Sequence, residues 1–312
     1  MSSHSASQVM AMFPGQGSQY VGMGKQLLDE FPYTKEIFEE AEDAAGIGIK
    51  KLCLDGPEDQ LKLTANTQPC IVTVSVATWT VLKQERGIEA GFFAGHSLGE
   101  YSALVASTRI KLSDAVRLVR HRGLAMQKAV PEGKGAMSAV LSMEAPKLEA
   151  MCLNLSTDQD CVQVVNYNSP QQLVVAGSLN GVVGLEEKLK ANGIKYIRLP
   201  VSAPFHSNLM APARAEMTPL LERTAFSQAS SYVIPNLTAE LTKDYGPEYL
   251  IKQIDSPVRW IQTVEKAHMA GVKKFIEVGP GRVLGGLAKR ILPKGDWSAD
   301  STDDVKAFLG IA

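Results

Sequence analysis

The chain has 312 residues, 45% hydrophobic and 21% charged, with 32 basic against 33 acidic side chains and a formal net charge of -1. At roughly 100–200 residues per domain, this length holds two domains or one large one, and the composition excludes a disordered or fibrous chain. A nucleic-acid binder carries a basic excess that is missing here, and four cysteines are too few for a disulfide scaffold.

The opening stretch, Met1 to Gln8, is polar and has no Lys or Arg, unlike a signal peptide. No apolar run reaches the roughly 18 residues of a membrane span. Cys53, Cys70, Cys152 and Cys161 form no C-x-x-C pair, which argues against a zinc site. These features predict a cytoplasmic protein with reduced thiols, no metal and no cofactor, and neither nucleic acid nor membrane as partner.

Val9–Phe13 is a short apolar run stopped by Pro14-Gly15 and reads as a buried strand. Two helices are expected before residue 66, then one long buried helix over Pro69–Lys83. Gly91–Ala94 is a second strand, and Leu98–Val105 a helix. Ser113–Lys128 reads as a helix with Ser113 as its N-cap.

The pattern then changes. Met137–Met143 reads as a strand and Ala145–Leu155 as a helix. Val162–Tyr167 and Gln172–Ala176 are strands separated by Asn168-Ser-Pro170. Leu179–Asn192 is a helix closed by Gly193, and Tyr196–Val201 a last strand. This β-α-β-β-α-β order is that of a ferredoxin-like unit. The spacing therefore predicts a large α/β domain over 10–132 and 202–292, resuming near Ser202, with a small ferredoxin-like domain inserted at 133–201. Lys274–Val278 is the last clear strand of the large domain. Residues 293–312 read as a loose polar tail in which Val305–Leu309 docks again.

Gly95-His-Ser-Leu-Gly99 matches G-x-S-x-G. An apolar strand precedes it and a helix follows, which is the setting of a nucleophile elbow. The turn forces strained angles on Ser97, and glycines at 95 and 99 remove side chains that would collide. Ser97 Oγ then stands at a helix N-terminus, where backbone N–H groups favour a developing anion. A serine capping a helix after a glycine turn is the plainer alternative.

A serine hydroxyl needs a base, and the chain has five histidines. His4 lies in the polar opening stretch. The His96 side chain, next to Ser97 in the turn, should point away. His121 and His268 sit on helices, the latter at the surface. His206 remains, in a loop stiffened by Pro204, and is the candidate general base.

On the helix 113–128, Ala115, Leu118, Val119, Ala125 and Met126 share one face at ~100° per residue, with Arg122 in its middle. A guanidinium directed inward needs acceptors. They could come from an internal carboxylate, or from a substrate carboxylate held in a bidentate fork.

Gly15-Gln-Gly17 and Gly279-Pro-Gly281 each follow a strand, but Tyr20 and Leu284 replace the third glycine of G-x-G-x-x-G. Neither a dinucleotide nor a nucleoside triphosphate is expected. Such a loop can instead bring N–H groups close to a ligand oxygen. The amides of Gln16 and Leu98 are the candidate oxyanion hole, and a simple tight turn is the alternative for Gln16.

Several motifs occur in order: Phe13-Pro-Gly-Gln-Gly-Ser-Gln19, Thr67-Gln-Pro69, Gly95-His-Ser-Leu-Gly-Glu-Tyr-Ser102, Arg122-Gly123 and Val165-Asn-Tyr-Asn-Ser-Pro170. Phe205-His206-Ser207, Gln253 with Ser256-Pro-Val-Arg-Trp260, and Glu277-Val-Gly-Pro-Gly281 follow. Together they resemble the malonyl-CoA:acyl carrier protein transacylase family, over about Met10 to Leu292.

The resemblance implies an α/β-hydrolase-like large domain with a ferredoxin-like insertion. It implies ping-pong transfer of malonyl from coenzyme A to the phosphopantetheine thiol of acyl carrier protein, in fatty acid or polyketide synthesis. Ser97 would be the nucleophile, His206 the base, Gln16 and Leu98 the oxyanion hole. Arg122 would pair with the malonyl carboxylate, and Gln68, His96 and Asn168 would contact substrate. A main-chain carbonyl at Gln253 would orient the histidine in place of an Asp. Malonyl-CoA and acyl carrier protein are the expected partners and a monomer the expected state.

Phe205, next to the base, also occurs in relatives that accept methylmalonyl units. The competing reading is a serine acyl hydrolase or thioesterase acting on acyl carrier protein or CoA thioesters; Arg122 favours carboxyacyl transfer. Lys273, Lys274, Lys289 and Arg290 flank the second glycine loop and are candidates for docking an acidic carrier.

Overall fold

Every residue of Val9–Phe13 is apolar and buried, and the segment forms strand β1. It is the middle strand of a five-stranded sheet in a computed structural model that describes residues 8–201 and 203–311. His4, the rest of the opening stretch before Gln8, and Ser202 lie outside the described residues.

Four helices follow where two were expected: α1 (Lys25–Glu30), α2 (Thr34–Ala45), α3 (Ile49–Asp55) and α4 (Glu58–Lys62). Glycines divide this segment. Gly46 (φ 65°) and Gly56 (φ 73°) take positive φ just beyond α2 and α3 and stop both. Helix α5 (Thr64–Arg86) starts five residues before Pro69, because a proline near a helix start forgoes only one ladder bond. Its long buried stretch packs against both flanking layers.

Strand β2 (Phe92–Gly95) leads into α6 (Gly99–Ala106), and α7 (Leu112–Ala129) follows. Ser113 is not the N-cap of α7. Lys111 holds that place without a side-chain cap, and the Ser113 N–H donates instead to Glu40 Oε1 at 3.1 Å.

The next segment forms β3 (Gly135–Leu141), α8 (Ala145–Leu155), β4 (Val162–Ser169), β5 (Gln172–Ser178), α9 (Leu179–Ala191) and β6 (Tyr196–Arg198). Its four strands make a separate antiparallel sheet in the order β4-β5-β3-β6. Asn168 and Ser169, expected in a loop, extend β4. Helices α8 and α9 cover one face of this sheet through Val140, Leu148, Val175 and Leu185. Beyond it lie α10 (Ala211–Glu222), β7 (Tyr232–Val233), α11 (Pro247–Gln253), α12 (Trp260–Met269), β8 (Lys274–Glu277), α13 (Val283–Ile291), β9 (Ser298–Ser301) and α14 (Val305–Leu309).

The first sheet runs β7-β2-β1-β8-β9, with every pairing parallel. A parallel sheet buries both faces, and alternation along β1 shows it. Ala11 and Phe13 face the cluster containing Trp79 of α5 and Val119 of α7. Met10 and Met12 face Trp260, Phe275 and Leu287. Because the strands are parallel, the chain leaves β1, β2 and β8 at the same edge, where ligands of open α/β sheets bind. The two sheets are tied by Val258, whose N–H donates to Val165 O and whose carbonyl accepts from Tyr167 N, both at 2.9 Å.

The segment expected to be a loose tail, 293–312, is ordered over its described residues, 293–311. Ser298–Ser301 forms β9, paired with β8 from Lys274↔Ser298 to Glu277↔Ser301. The segment also consumes the amides of the second glycine loop: Gly279 N donates to Thr302 Oγ1 at 3.1 Å and Gly281 N to Asp303 Oδ1 at 2.8 Å. Val305 and Leu309 join the core. The strand hides in a polar sequence because an edge strand this short needs one inward apolar residue, Ala299.

The proposed docking cations sit at the wrong end. Lys273 precedes β8 and Lys274 opens it, at the sheet edge opposite the Gly95 turn. Lys273 is paired with Asp296, and Lys274 lies over the Phe308 ring. Helix α13 runs back from the glycine loop, so Lys289 and Arg290 in its last turn also face away from Ser97.

Deleting residues 293–312 should therefore destabilise the whole fold. Each of Val305, Leu309 and Trp297 contributes about 1.5–3 kcal/mol of burial at most, and β8 loses its neighbour. A drop of at least ~3 kcal/mol in urea unfolding is expected; an unchanged midpoint would mean the segment is dispensable.

Candidate active site

Strand β2 meets α6 through a turn that no side chain at 95 or 99 would permit. A Cβ on Gly95 would lie 1.9 Å from the Gly99 carbonyl carbon, and one on Gly99 would lie 2.0 Å from Phe13 O. Ser97 between them is held at φ 51°, a conformation that costs a non-glycine residue ~1–3 kcal/mol. Asn236 holds the turn: its Oδ1 accepts from Ser97 N and its Nδ2 donates to Gly95 O, both at 2.6 Å. Nothing in the sequence marks Asn236, which follows β7 in an irregular stretch.

His206, which follows the small sheet in the chain, reaches this turn within the same cavity. Its Nε2 lies 2.6 Å from Ser97 Oγ. Its Nδ1 lies 2.9 Å from Gln253 O and 3.1 Å from Ser256 O. Two carbonyls can only accept, so Nδ1 carries the proton and Nε2 offers its lone pair to the serine hydroxyl. His206 is buried and also adopts positive φ, 63°. Burial, together with the Arg122 charge, pushes its pKa down to about 3, so at neutral pH the imidazole is an unprotonated base.

The face of α7 points Arg122 into the same space. The side chain is 2% exposed. Nη1 donates to Gln68 Oε1, and Nη2 to both Ser97 Oγ and Gln253 Oε1, each at 3.1 Å. Of the two readings open in the sequence, the internal salt bridge is not formed: these acceptors are neutral, and Nε has no partner among the described residues. Burial lowers the Arg122 pKa, but a guanidinium stays charged. Close packing makes room for it, since a Cβ on Gly123 would lie 2.5 Å from Ala65 Cα.

Behind these groups is Glu100, fully buried in the first turn of α6. Its Oε2 accepts from Asn236 N at 2.9 Å and Gln253 Nε2 at 2.8 Å, and its Oε1 bonds the Tyr245 hydroxyl. Gln253 Nε2 also donates to Ser97 O at 3.0 Å. Burial raises the Glu100 pKa, against these hydrogen bonds and the Arg122 charge. In the sequence, only its apolar neighbours Leu98, Tyr101 and Leu104 mark Glu100 as buried.

A cavity of about 200 Å³ joins these groups. Gln16, Gln68, His96, Ser97, Leu98, Arg122, Asn168 and His206 line it, with Met126, Met137, Val174, Leu199 and Phe205 as apolar wall. The unoccupied face of the small sheet supplies much of that wall. The Gln16 and Leu98 amides have no acceptor among the described residues. The expectation that His96 points away does not hold. Its Nε2 bonds Asn168 Oδ1 at 2.8 Å across the cavity, because Gly15 lets β1 and the turn approach. Loss of solvent lowers its pKa, so it is neutral. Gln253, expected only through its main chain, uses its side-chain amide as well. A larger cavity of about 450 Å³, beside Trp79, Lys83 and Tyr232, holds none of these groups.

The acyl transferase domain family matches residues 11–296. A malonyl CoA-acyl carrier protein transacylase of Bacillus subtilis (strain 168) is 42% identical over 288 residues, 91% of this chain and 90% of that protein. The crystal structure of FabD from Acinetobacter baumannii superposes with a TM-score of 0.93 at 39% identity, covering 98% of both chains. A type II PKS acyl-carrier protein in complex with its malonyl-transacylase gives a TM-score of 0.91 at 39% identity, covering 97% of both chains. The chain belongs to the acyl transferase domain family and, within it, to the malonyl-CoA:acyl carrier protein transacylases.

Proposed function

We infer that the protein transfers malonyl groups from coenzyme A to the phosphopantetheine thiol of acyl carrier protein, in fatty acid or polyketide synthesis. One observation carries this: Ser97 Oγ lies 2.6 Å from a neutral imidazole nitrogen and 3.1 Å from a buried guanidinium. A nucleophile and a receptor for a carboxylate share one cavity.

His206 Nε2 takes the hydroxyl proton as Ser97 Oγ attacks the thioester carbonyl carbon. The amides of Gln16 and Leu98 hold the resulting oxyanion. Collapse breaks the C–S bond, and His206 returns its proton to the coenzyme A thiolate. The carrier thiol then gives its proton to His206 and attacks the malonyl-serine, and Ser97 recovers the proton. Arg122 forks onto the malonyl carboxylate throughout. Gln68, His96 and Asn168 border the acyl group. The Gln253 carbonyl keeps the imidazole in its productive tautomer, in the place an Asp takes in a Ser-His-Asp triad.

We read the large part, 10–132 and 202–292, as α/β-hydrolase-like and the insertion 133–201 as ferredoxin-like. The strand order of the second sheet and its β-α-β-β-α-β element order support the latter. Carrier protein is the expected acceptor. A second cavity of about 310 Å³, which shares Gln16, Val201 and Phe205 with the first, suits the thioester arm.

Incubation with malonyl-CoA should add one malonyl mass to the intact protein, and Ser97→Ala should abolish the adduct. An adduct surviving that change would move the nucleophile elsewhere; free malonate released at a rate independent of carrier would make the protein a hydrolase. Arg122→Ala should cut the preference for malonyl over acetyl. Losing one partner of a buried charge pair costs ~2–5 kcal/mol, or roughly 30- to 5,000-fold.

The pH response follows from His206. Its folded pKa of about 3 lies below the ordinary 6.5, so in that window the unfolded chain binds a proton that the folded one does not. Stability should fall as pH falls from 6.5 towards 3. The free enzyme keeps its base there, so kcat/KM for malonyl loading should stay within about twofold between pH 7 and 5. An acid limb centred at 6.5 would contradict the assignment.

A further inference from the structure

Arg122 carries a buried positive charge whose direct partners are neutral. The nearest compensation runs through one amide: Arg122 Nη2 donates to Gln253 Oε1 at 3.1 Å, and Gln253 Nε2 donates to Glu100 Oε2 at 2.8 Å. Donor and acceptor requirements fix the sense of that amide, because a guanidinium cannot accept and Oε2 already accepts from Asn236 N. Cation, amide and carboxylate therefore form a polarised row, with the carboxylate kept out of direct contact.

We propose that Glu100 is a counter-anion set one amide behind Arg122, a specificity-determining residue that tempers the grip of the guanidinium on the malonyl carboxylate. This rests on the acyl-transfer reading above. A carboxylate in direct contact with Arg122 would occupy the fork that substrate needs. No anion at all would leave a bare buried cation that holds malonyl-serine too firmly for onward transfer. Glu100 repels the malonyl carboxylate through the Gln253 amide; for like charges about 10 Å apart at an effective dielectric near 20, such repulsion is worth about a five- to twentyfold change in affinity.

Glu100→Gln separates charge from geometry. Asn236 N can only donate, so the new amide must set its oxygen where Oε2 stood. That oxygen keeps the bonds from Asn236 and Gln253, and its NH2 meets the Tyr245 hydroxyl, which can turn to accept. Each pairing survives, with the sense of the Tyr245 contact reversed, and the charge goes.

The readout is the ratio of malonyl to acetyl loading of Ser97, by single-turnover intact mass from the two CoA thioesters. Any gain in oxyanion stability is common to both and cancels. Glu100→Gln should raise this ratio roughly five- to twentyfold, the opposite sign to structural damage. Tyr245→Phe withdraws a hydrogen bond from the carboxylate and favours its neutral form, so it should raise the ratio less far, and it decides the matter if Glu100→Gln does not fold. A ratio unchanged or lowered in the folded variant overturns the proposal. A wild-type protein that forms no malonyl adduct would instead overturn the acyl-transfer reading itself.

Discussion

Gln253 is the residue on which the site depends. Its main-chain carbonyl holds the imidazole proton of His206. Its amide oxygen holds Arg122, and its amide nitrogen holds Ser97 O and Glu100. The base, the carboxylate receptor and the backbone of the nucleophile are thus referred to one residue at the end of α11. Each member of such a buried network is costly if left unpaired, so the network is either complete or strongly destabilising. That favours one arrangement of the reacting groups and limits drift of Ser97 from its base.

The two sheets divide the work. The parallel sheet brings strand ends, glycine turns and free amides to one edge, which suits developing negative charge. The antiparallel sheet contributes little polar chemistry: Met137, Val174 and Leu199 exclude water, and Asn168 reaches across to His96. A dry wall matters for a transferase, whose acyl-serine must wait for a thiol rather than react with water. A chain with almost no net charge meets an anionic substrate by burying one cation and balancing it at a distance.

Much of the site was legible because its chemistry is local. The Gly95–Gly99 spacing announces a turn whose glycines have steric work to do, and His206 was left as base by elimination. Arg122 stands out as a charge in an apolar stripe, though only the folded structure distinguishes neutral acceptors from a carboxylate. Asn236 and the amide of Gln253 were not legible. They act through partners 139 and 156 residues away, and no periodicity encodes such a contact. Strand β9 was missed for another reason: parallel pairing at an edge asks little of its residues, and Ser298-Ala-Asp-Ser301 carries no alternation. The docking cations failed on geometry, since adjacency to a glycine loop says nothing of which end of a strand a lysine occupies.

The span between Ser97 and Gln253 has a consequence for biogenesis. The strained serine turn leaves the ribosome early, but the residues that activate and hold it are made 109 to 156 residues later. At about 5–20 residues per second, the nascent chain carries its nucleophile for roughly five to twenty seconds before its base is made. During that time Ser97 is an ordinary alcohol, inert towards cellular thioesters. The carbonyl that orients the base comes later still, with Gln253, so an incomplete polypeptide lacks the assembled site.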